Sequence, residues 1–326
     1  MRILITGGAG FIGHNVVRLL EQQGHECCVV DSLTDYGFIP AHELDYLFEE
    51  RRKKFQSEVN IVDINDPEFT RLFSKFKPES VIHLASFPRQ KVVNANPVSA
   101  SAVMSTGLLN LLELSKSHQI NKFTYISSSM VYGDFKDDVK EDYVCKPQGQ
   151  YGILKLAGEW LVKDYTRRGC FNHVIIRPSA VYGEFDVEDR VVSKFILSAM
   201  RGQVLKVNGA NETLDFTYVD DAAKGIVQAT LSDNAINKTY NITKSHSYSL
   251  LNAAQMACSI VGQGGISVLE KDSDFPSRGA LNIDAAKEDF GFNPVVDVPE
   301  GFHRYYNWFV KSEYWQERIN GRKDKL

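Results

Sequence analysis

Cysteine and proline are scarce in this 326-residue chain, with five of the first and ten of the second. The cysteines (Cys27, Cys28, Cys145, Cys170 and Cys258) are odd in number and widely scattered, with no Cys-x-x-Cys pair and no zinc-like spacing to histidine. That argues against a disulfide framework or a structural metal site and leaves reduced thiols as the expectation. No stretch reaches the ~18 uninterrupted apolar residues of a membrane span. There is no internal repeat and no low-complexity linker. Charge of one sign is missing too: 37 Lys plus Arg against 41 Asp plus Glu give a net −4, which argues against polyanionic partners, nucleic acid or membrane surface, while leaving an anionic small ligand open. Met1-Arg2-Ile3-Leu4-Ile5-Thr6 passes straight into a glycine loop, so no signal peptide is expected and the expected location is cytoplasmic.

What is present is alternation. Short apolar runs at Arg2 to Thr6, Glu26 to Asp31, Val59 to Val62, Ser80 to Leu84, Phe123 to Ser127 and His173 to Arg177 predict strands. Phe11 to Gln23, Ala41 to Phe55, Pro67 to Phe76, Asn96 to His118 and Tyr151 to Arg168 predict helices between them. This is the pattern of βαβ units and predicts an α/β fold, a Rossmann-type doubly wound parallel sheet. After Arg177 the segments shorten: helices are expected at Glu188 to Gly202, Asp220 to Leu231, Leu250 to Val261 and Pro299 to Val310, with strands at Leu214 to Val219 and Thr239 to Ile242. The expected division is a cofactor body over 1–177, to which some later segments return, and a smaller mixed α/β substrate lobe over 178–326. The charged tail from Lys311, through Arg322-Lys323-Asp324-Lys325, is expected to be loose.

Gly7-Gly8-Ala9-Gly10-Phe11-Ile12-Gly13 leaves the first predicted strand and opens a helix, the context in which a glycine pattern signals a dinucleotide. Gly7 would permit the turn, Gly10 the approach of a pyrophosphate, and Gly13 tight helix packing. Asp31, closing the second strand, would take ribose hydroxyls and repel a 2′-phosphate, which favours NAD over NADP. Asp63 and Ile64, ending the third strand, would hold an adenine edge, although Asp63 to Pro67 also reads as a turn and helix start. Tyr151 and Lys155 stand one helical turn apart, so that a lysine ammonium near the phenol would lower it toward neutrality. Ser127-Ser128-Ser129, at the carboxyl edge of the sheet, would hydrogen-bond a hydroxyl beside that base.

Together with His83-Leu84-Ala85-Ser86, Val131-Tyr132-Gly133, Arg177-Pro178-Ser179-Ala180-Val181-Tyr182-Gly183, Leu214-Asp215-Phe216-Thr217-Tyr218-Val219-Asp220-Asp221 and Asn293-Pro294, these motifs resemble the extended short-chain dehydrogenase/reductases, and within them the NAD-dependent nucleotide-sugar epimerase/dehydratase family. The resemblance implies NAD as cofactor and a nucleotide sugar as substrate. Tyr151, Lys155, Ser128 and Ser129 are then catalytic. Gly7, Gly10, Phe11, Ile12, Gly13, Asp31, Asp63, Ile64, Leu84, Ala85, Ser86, Tyr151, Lys155 and Pro178 contact the cofactor. Because buried phosphates need cations, Arg190 and Lys194, expected on one helix, and Arg278 are the candidates for the substrate diphosphate, with Arg89, Ser128 and Ser179 also expected to contact the substrate. The reaction implied is 4-epimerisation of an NDP-hexose, most readily a UDP-sugar, through transient oxidation at carbon 4. The alternatives are a 4-oxidoreductase or dehydratase-related enzyme releasing a ketosugar and, more remotely, a non-catalytic dinucleotide sensor.

Departures from the pattern narrow this. Met130 stands where 4,6-dehydratases carry a glutamate and the mannose 3,5-epimerase type a cysteine, and methionine moves no proton. Ala180 and Met104 stand where many relatives have asparagine, and Leu214 replaces an arginine. Relatives commonly dimerise through a four-helix bundle, which implies that the helices Asn96 to His118 and Tyr151 to Arg168 pair between copies; Leu108, Leu111, Leu112 and Trp160 would supply apolar contacts there, and burial within a single copy explains them equally well.

Overall fold

The computed structural model describes residues 1–323. Seven parallel strands form the main sheet: β1 (Arg2–Thr6), β2 (Glu26–Asp31), β3 (Val59–Ile61), β4 (Ser80–His83), β5 (Lys122–Ile126), β6 (Asn172–Pro178) and, much later in the chain, Lys238–Ile242. Its order, from one edge to the other, is Lys238–Ile242, then β6, β5, β4, β1, β2 and β3. The strand order reverses between β1 and β4, so the crevice for a ligand opens where their carboxyl ends diverge.

Alternation along the strands builds two cores. Ile3 and Ile5 face the helix Gly13–Gln22 with Val16, Val17 and Leu20, while Leu4 faces the other way with Phe69, Phe73, Leu108, Leu111 and Leu112. β4, Ser-Val-Ile-His, is buried at every position, as a central strand covered on both faces must be.

The expected Asn96 to His118 helix is one helical run, Pro97–Ser117, with a π turn over Ala102–Gly107. By length and composition it is apolar enough to cross a membrane. Leu108, Leu111 and Leu112 are nevertheless fully buried in the protein's own core, which removes them from the expected inter-copy contact. Trp160 is 66% exposed and remains available.

Beyond β6 the chain forms three two-stranded sheets. β7 (Val181–Tyr182) pairs with β10 (Thr217–Tyr218), β8 (Val204–Asn208) with β13 (Gly265–Leu269), and β9 (Thr213–Asp215) with β12 (Ser247–Ser249). The Lys238–Ile242 strand is β11, placed against β6 in the main sheet. A third core, with Phe195, Ile196, Phe216, Phe302, Phe309 and Trp315, lies among the helices Val191–Met200, Leu250–Val261 and Val298–Lys311. Two expectations are corrected. The Leu214 to Val219 strand divides at Phe216 into β9 and β10. The stretch expected to be loose from Lys311 is helical over Glu313–Lys323, because Trp315 and Ile319 drop into that core; residues 324–326 lie outside those described.

Candidate active site

The glycine loop joins β1 to the helix Gly13–Gln22 and is built on contacts that only glycine allows. Gly7 has φ +71, and a Cβ there would meet Ala85 N at 2.6 Å; a Cβ on Gly13 would meet Gly7 O at 2.2 Å. The loops after β1 and β4 therefore touch, and bring Leu84 and Ala85 beside Gly7, while Ser86 donates to Phe87 O at 3.0 Å. The helix has no side-chain cap at Ile12 and, although His14 N–H is taken by Gly10 O at 3.1 Å, the dipole of its N-terminus favours an anion. Asp31 accepts Ala9 N–H at 3.1 Å and Leu33 N–H at 3.0 Å, which fixes its carboxylate against the loop. Asp63 spends Oδ1 on Asn65 N–H at 2.8 Å, the turn geometry its sequence also predicts, and Ile64 is buried against Gly107. Tyr36, with its ring 4.5 Å from Phe87, feels both Asp31 and Asp63 and is pushed up by burial and their charge; sequence reading had no signal for it.

These residues fit NAD on structural grounds. The loop is tight enough to require glycine, the helix end is uncapped, and an acid stands at the end of β2.

The three serines after β5 are used differently. Ser127 donates to Glu159 Oε1 at 2.6 Å, Ser128 hydrogen-bonds the Tyr151 phenol, and Ser129 donates to Ser179 Oγ at 3.2 Å. Ser129 is thus turned from the phenol toward the loop after Pro178, a correction to its expected place beside the base. Burial raises the Tyr151 phenol, while the charge of Arg190 and the hydrogen bond from Ser128 lower it. The charge of Arg190 thus reaches the phenol in addition to the nearby Lys155 to which spacing pointed. Lys155 lies 5.9 Å from the Tyr151 ring centroid and donates to Ile126 O at 2.8 Å. Burial brings its amine down to about 7, against the opposing pull of Glu159.

Arg190 caps the helix Val191–Met200 from outside it, so it does not share a helix with Lys194 as expected. Its Nε lies 3.6 Å from the buried Asp186 carboxylate. Arg278 neighbours Arg190; burial and that like charge bring it down to about 10, and its buried Nε has no hydrogen-bond partner among the described residues. Arg89 and Lys194 both pair with Asp189, which ties them to the loop rather than leaving them open. Behind the site, sequence reading missed the buried pair of Arg177 and Glu159 and His83, hydrogen-bonded to Thr6 at 2.7 Å and held down to about 3 by burial and the nearby Lys155. Cys145 bonds Tyr143 O at 3.8 Å and its thiol is raised by burial, the behaviour of a loop thiol.

Comparisons with known proteins agree with this geometry. The chain is 28% identical to a dTDP-glucose 4,6-dehydratase of Neisseria meningitidis, covering 98% of this chain and 96% of that one. It is 30% identical to a UDP-glucuronic acid decarboxylase 1 of Xenopus tropicalis, over 95% of this chain and 72% of that one. The crystal structure of a UDP-glucuronic acid 4-epimerase from Bacillus cereus, in complex with UDP-glucuronic acid and NAD, superposes with a TM-score of 0.86 at 27% identity, covering 94% of this chain and 98% of the other. Residues 3–243 match the model of one family, and, with its glycine loop after β1 and Tyr151 and Lys155 on one helix, the chain belongs to the NAD dependent epimerase/dehydratase family.

Proposed function

We infer that the protein is a nucleotide-sugar 4-epimerase, with NAD as its cofactor and a UDP-linked hexose as its substrate. The observation that supports this reading is a buried Tyr151 phenol on which Ser128 and the charge of Arg190 act, with Arg190 acting in turn on an Arg278 whose Nε has no partner among the described residues. A sugar hydroxyl belongs at the first pair and a diphosphate at the second, since buried phosphate charge needs paired donors.

Gly7, Gly10, Phe11, Ile12 and Gly13 would hold the pyrophosphate of NAD, and Asp31 its adenosine ribose. Lys155 would hold the nicotinamide ribose. Bound there, NAD supplies a reversible hydride acceptor. Tyr151 takes the proton of the carbon-4 hydroxyl and later returns it. Ser128 orients that hydroxyl, and Arg190 favours the phenolate by its charge. Arg278 binds phosphate oxygens through its open edge.

Met130, buried beside the first turn of the helix Gln150–Arg167, carries no titratable proton, which disfavours the elimination step of a dehydratase. A net oxidoreductase that releases the ketosugar is the alternative. A dinucleotide sensor is disfavoured because Tyr151 and Lys155 are both present.

The test is incubation of NAD-loaded protein with UDP-, GDP-, CDP- and dTDP-sugars, uronic acids included, read by NMR for epimers and by mass spectrometry for oxidation or elimination. Interconversion of two 4-epimers without net NAD consumption is expected, and Tyr151→Phe should abolish it while still binding NAD. Stoichiometric NADH would replace this reading with the oxidoreductase. The protein is further proposed to be cytoplasmic and a homodimer, the exposed Val98, Leu109, Ile153 and Trp160 offering the apolar contact.

A further inference from the structure

The helix that carries Tyr151 begins without a cap of its own. Its N-cap is Gly149, which has no side chain to accept a proton, and the intrahelical ladder opens with Ile153 N–H to Gly149 O at 3.2 Å. The amides of Gln150, Tyr151 and Gly152 therefore need acceptors from outside the helix. One comes from a different element. Gln90, at the start of the helix Gln90–Ala95 that follows β4, accepts Tyr151 N–H on its Oε1 at 3.2 Å.

Three features make this more than a passing contact. Gln90 is 3% exposed, so water does not compete for its carboxamide. Its Nε2 donates to Asn94 Oδ1 at 3.3 Å, which turns the oxygen toward Tyr151. Gly149, at φ +81, interlocks with it, because a Cβ there would lie 1.6 Å from Gln90 Nε2.

The preceding residue reaches the opposite way. Arg89 donates to Asp189 O at 2.6 Å and pairs with the Asp189 carboxylate, and Asp189 is the neighbour of Arg190. Two consecutive residues after β4 thus hold the backbone of the phenol and the backbone beside the arginine that acts on it.

We propose that Gln90 is a positioning residue for Tyr151, capping its helix in trans and setting where the phenol stands relative to Ser128 and Arg190. The kinetic part of the test rests on the epimerase reading; the spectroscopic part does not. Gln90→Leu removes the acceptor at similar volume. Gln90→Glu keeps the acceptor and places a negative charge at a helix N-terminus, where it is tolerated, on the backbone amide of the residue that carries the phenol.

In NAD-loaded protein, Gln90→Leu should lower kcat roughly 10- to 50-fold, the scale of a small misplacement of a reacting group. KM should stay within about three-fold, since ground-state binding is not what Gln90 supplies. Gln90→Glu should keep kcat within roughly three-fold at its own optimum, with the acid limb of the pH profile moved up by about half a unit or more, because a negative charge favours the neutral phenol.

Independently of any sugar, protein with 13C at the tyrosine ζ carbons should show the Tyr151 resonance, identified by its loss in Tyr151→Phe, displaced in Gln90→Leu and titrating at higher pH in Gln90→Glu. An unmoved resonance in both variants, or kcat in Gln90→Leu within two-fold of the parent, overturns the proposal. If the parent turns over no nucleotide sugar, the epimerase reading fails on its own and the tyrosine resonance still decides the role of Gln90.

Discussion

Arg177 grips both carboxylate oxygens of Glu159, Nε to Oε1 at 2.9 Å and Nη2 to Oε2 at 2.7 Å. This fork joins β6 to the helix of Tyr151 and Lys155 inside the protein, with Ser127 on the same carboxylate and Tyr132 and Glu141 O on the same guanidinium. The Glu159 carboxylate holds Arg177 well above the usual arginine range, against its burial.

Glu159→Leu should therefore strand a buried guanidinium and destabilise the fold by about 3–5 kcal/mol, read as a lowered urea midpoint at unchanged slope. Adding Arg177→Met to it should recover part of the loss. A double variant no more stable than Glu159→Leu alone would show that the pair is not coupled as its geometry implies.

Lys155 gives stability a pH dependence of known sign. Its amine stands at about 7 when folded and near ~10.4 when unfolded, so between those values the unfolded chain binds the extra proton. Stability rises with pH wherever that holds. The burial penalty is fully present below about pH 7 and is relieved as pH climbs toward about 10. Lys155→Met should flatten this rise and be the more stable form at pH 6, as followed by urea unfolding at several pH values without added cofactor; parallel slopes would refute it.

Asp31 touches the glycine loop through Ala9 N–H, so it organises the loop in addition to the ribose contact proposed for it. Asp31→Ala should weaken NAD binding roughly 10- to 100-fold, the scale of a lost charge-assisted hydrogen bond, and weaken NADP binding less. Calorimetric titration with both cofactors checks this, and an unchanged affinity for NAD would remove Asp31 from the cofactor site.

Ala180 sits at φ +36, a left-handed backbone that costs an L-residue about 1–2 kcal/mol. Glycine adopts it freely but loses more chain entropy, so Ala180→Gly should gain about 0.5–1 kcal/mol in denaturant unfolding. A loss instead would mean that the methyl group's packing outweighs the strain.

Much of the body was legible because its signals are local. The six early strands, the glycine loop and Asp31 follow from periodicity and from turn chemistry at strand ends, and the matched family covers residues 3–243. The later half was harder. β7 and β10 have two residues each, too few for alternation to register, and β11 finds β6 across more than sixty residues. The predicted helix at Glu188 begins only at Val191, since Glu188 N–H is taken by the Glu43 carboxylate at 2.7 Å, a partner 145 positions away.

The sequence by itself determined the sheet, the glycine loop and the candidate base Tyr151, because each depends on residues within one strand, turn or helix. Only the tertiary structure decided how that base is tuned and aimed. Spacing put Lys155 beside Tyr151, but packing turned its amine to Ile126 O and brought Arg190, from a loop of the later half, to the phenol. It also set Gln90 on the helix end and divided three adjacent serines among Glu159, Tyr151 and Ser179. Charge and hydrogen bonding act through space over a few ångströms, and which groups come that close is fixed by how distant segments pack, a relationship no local pattern encodes.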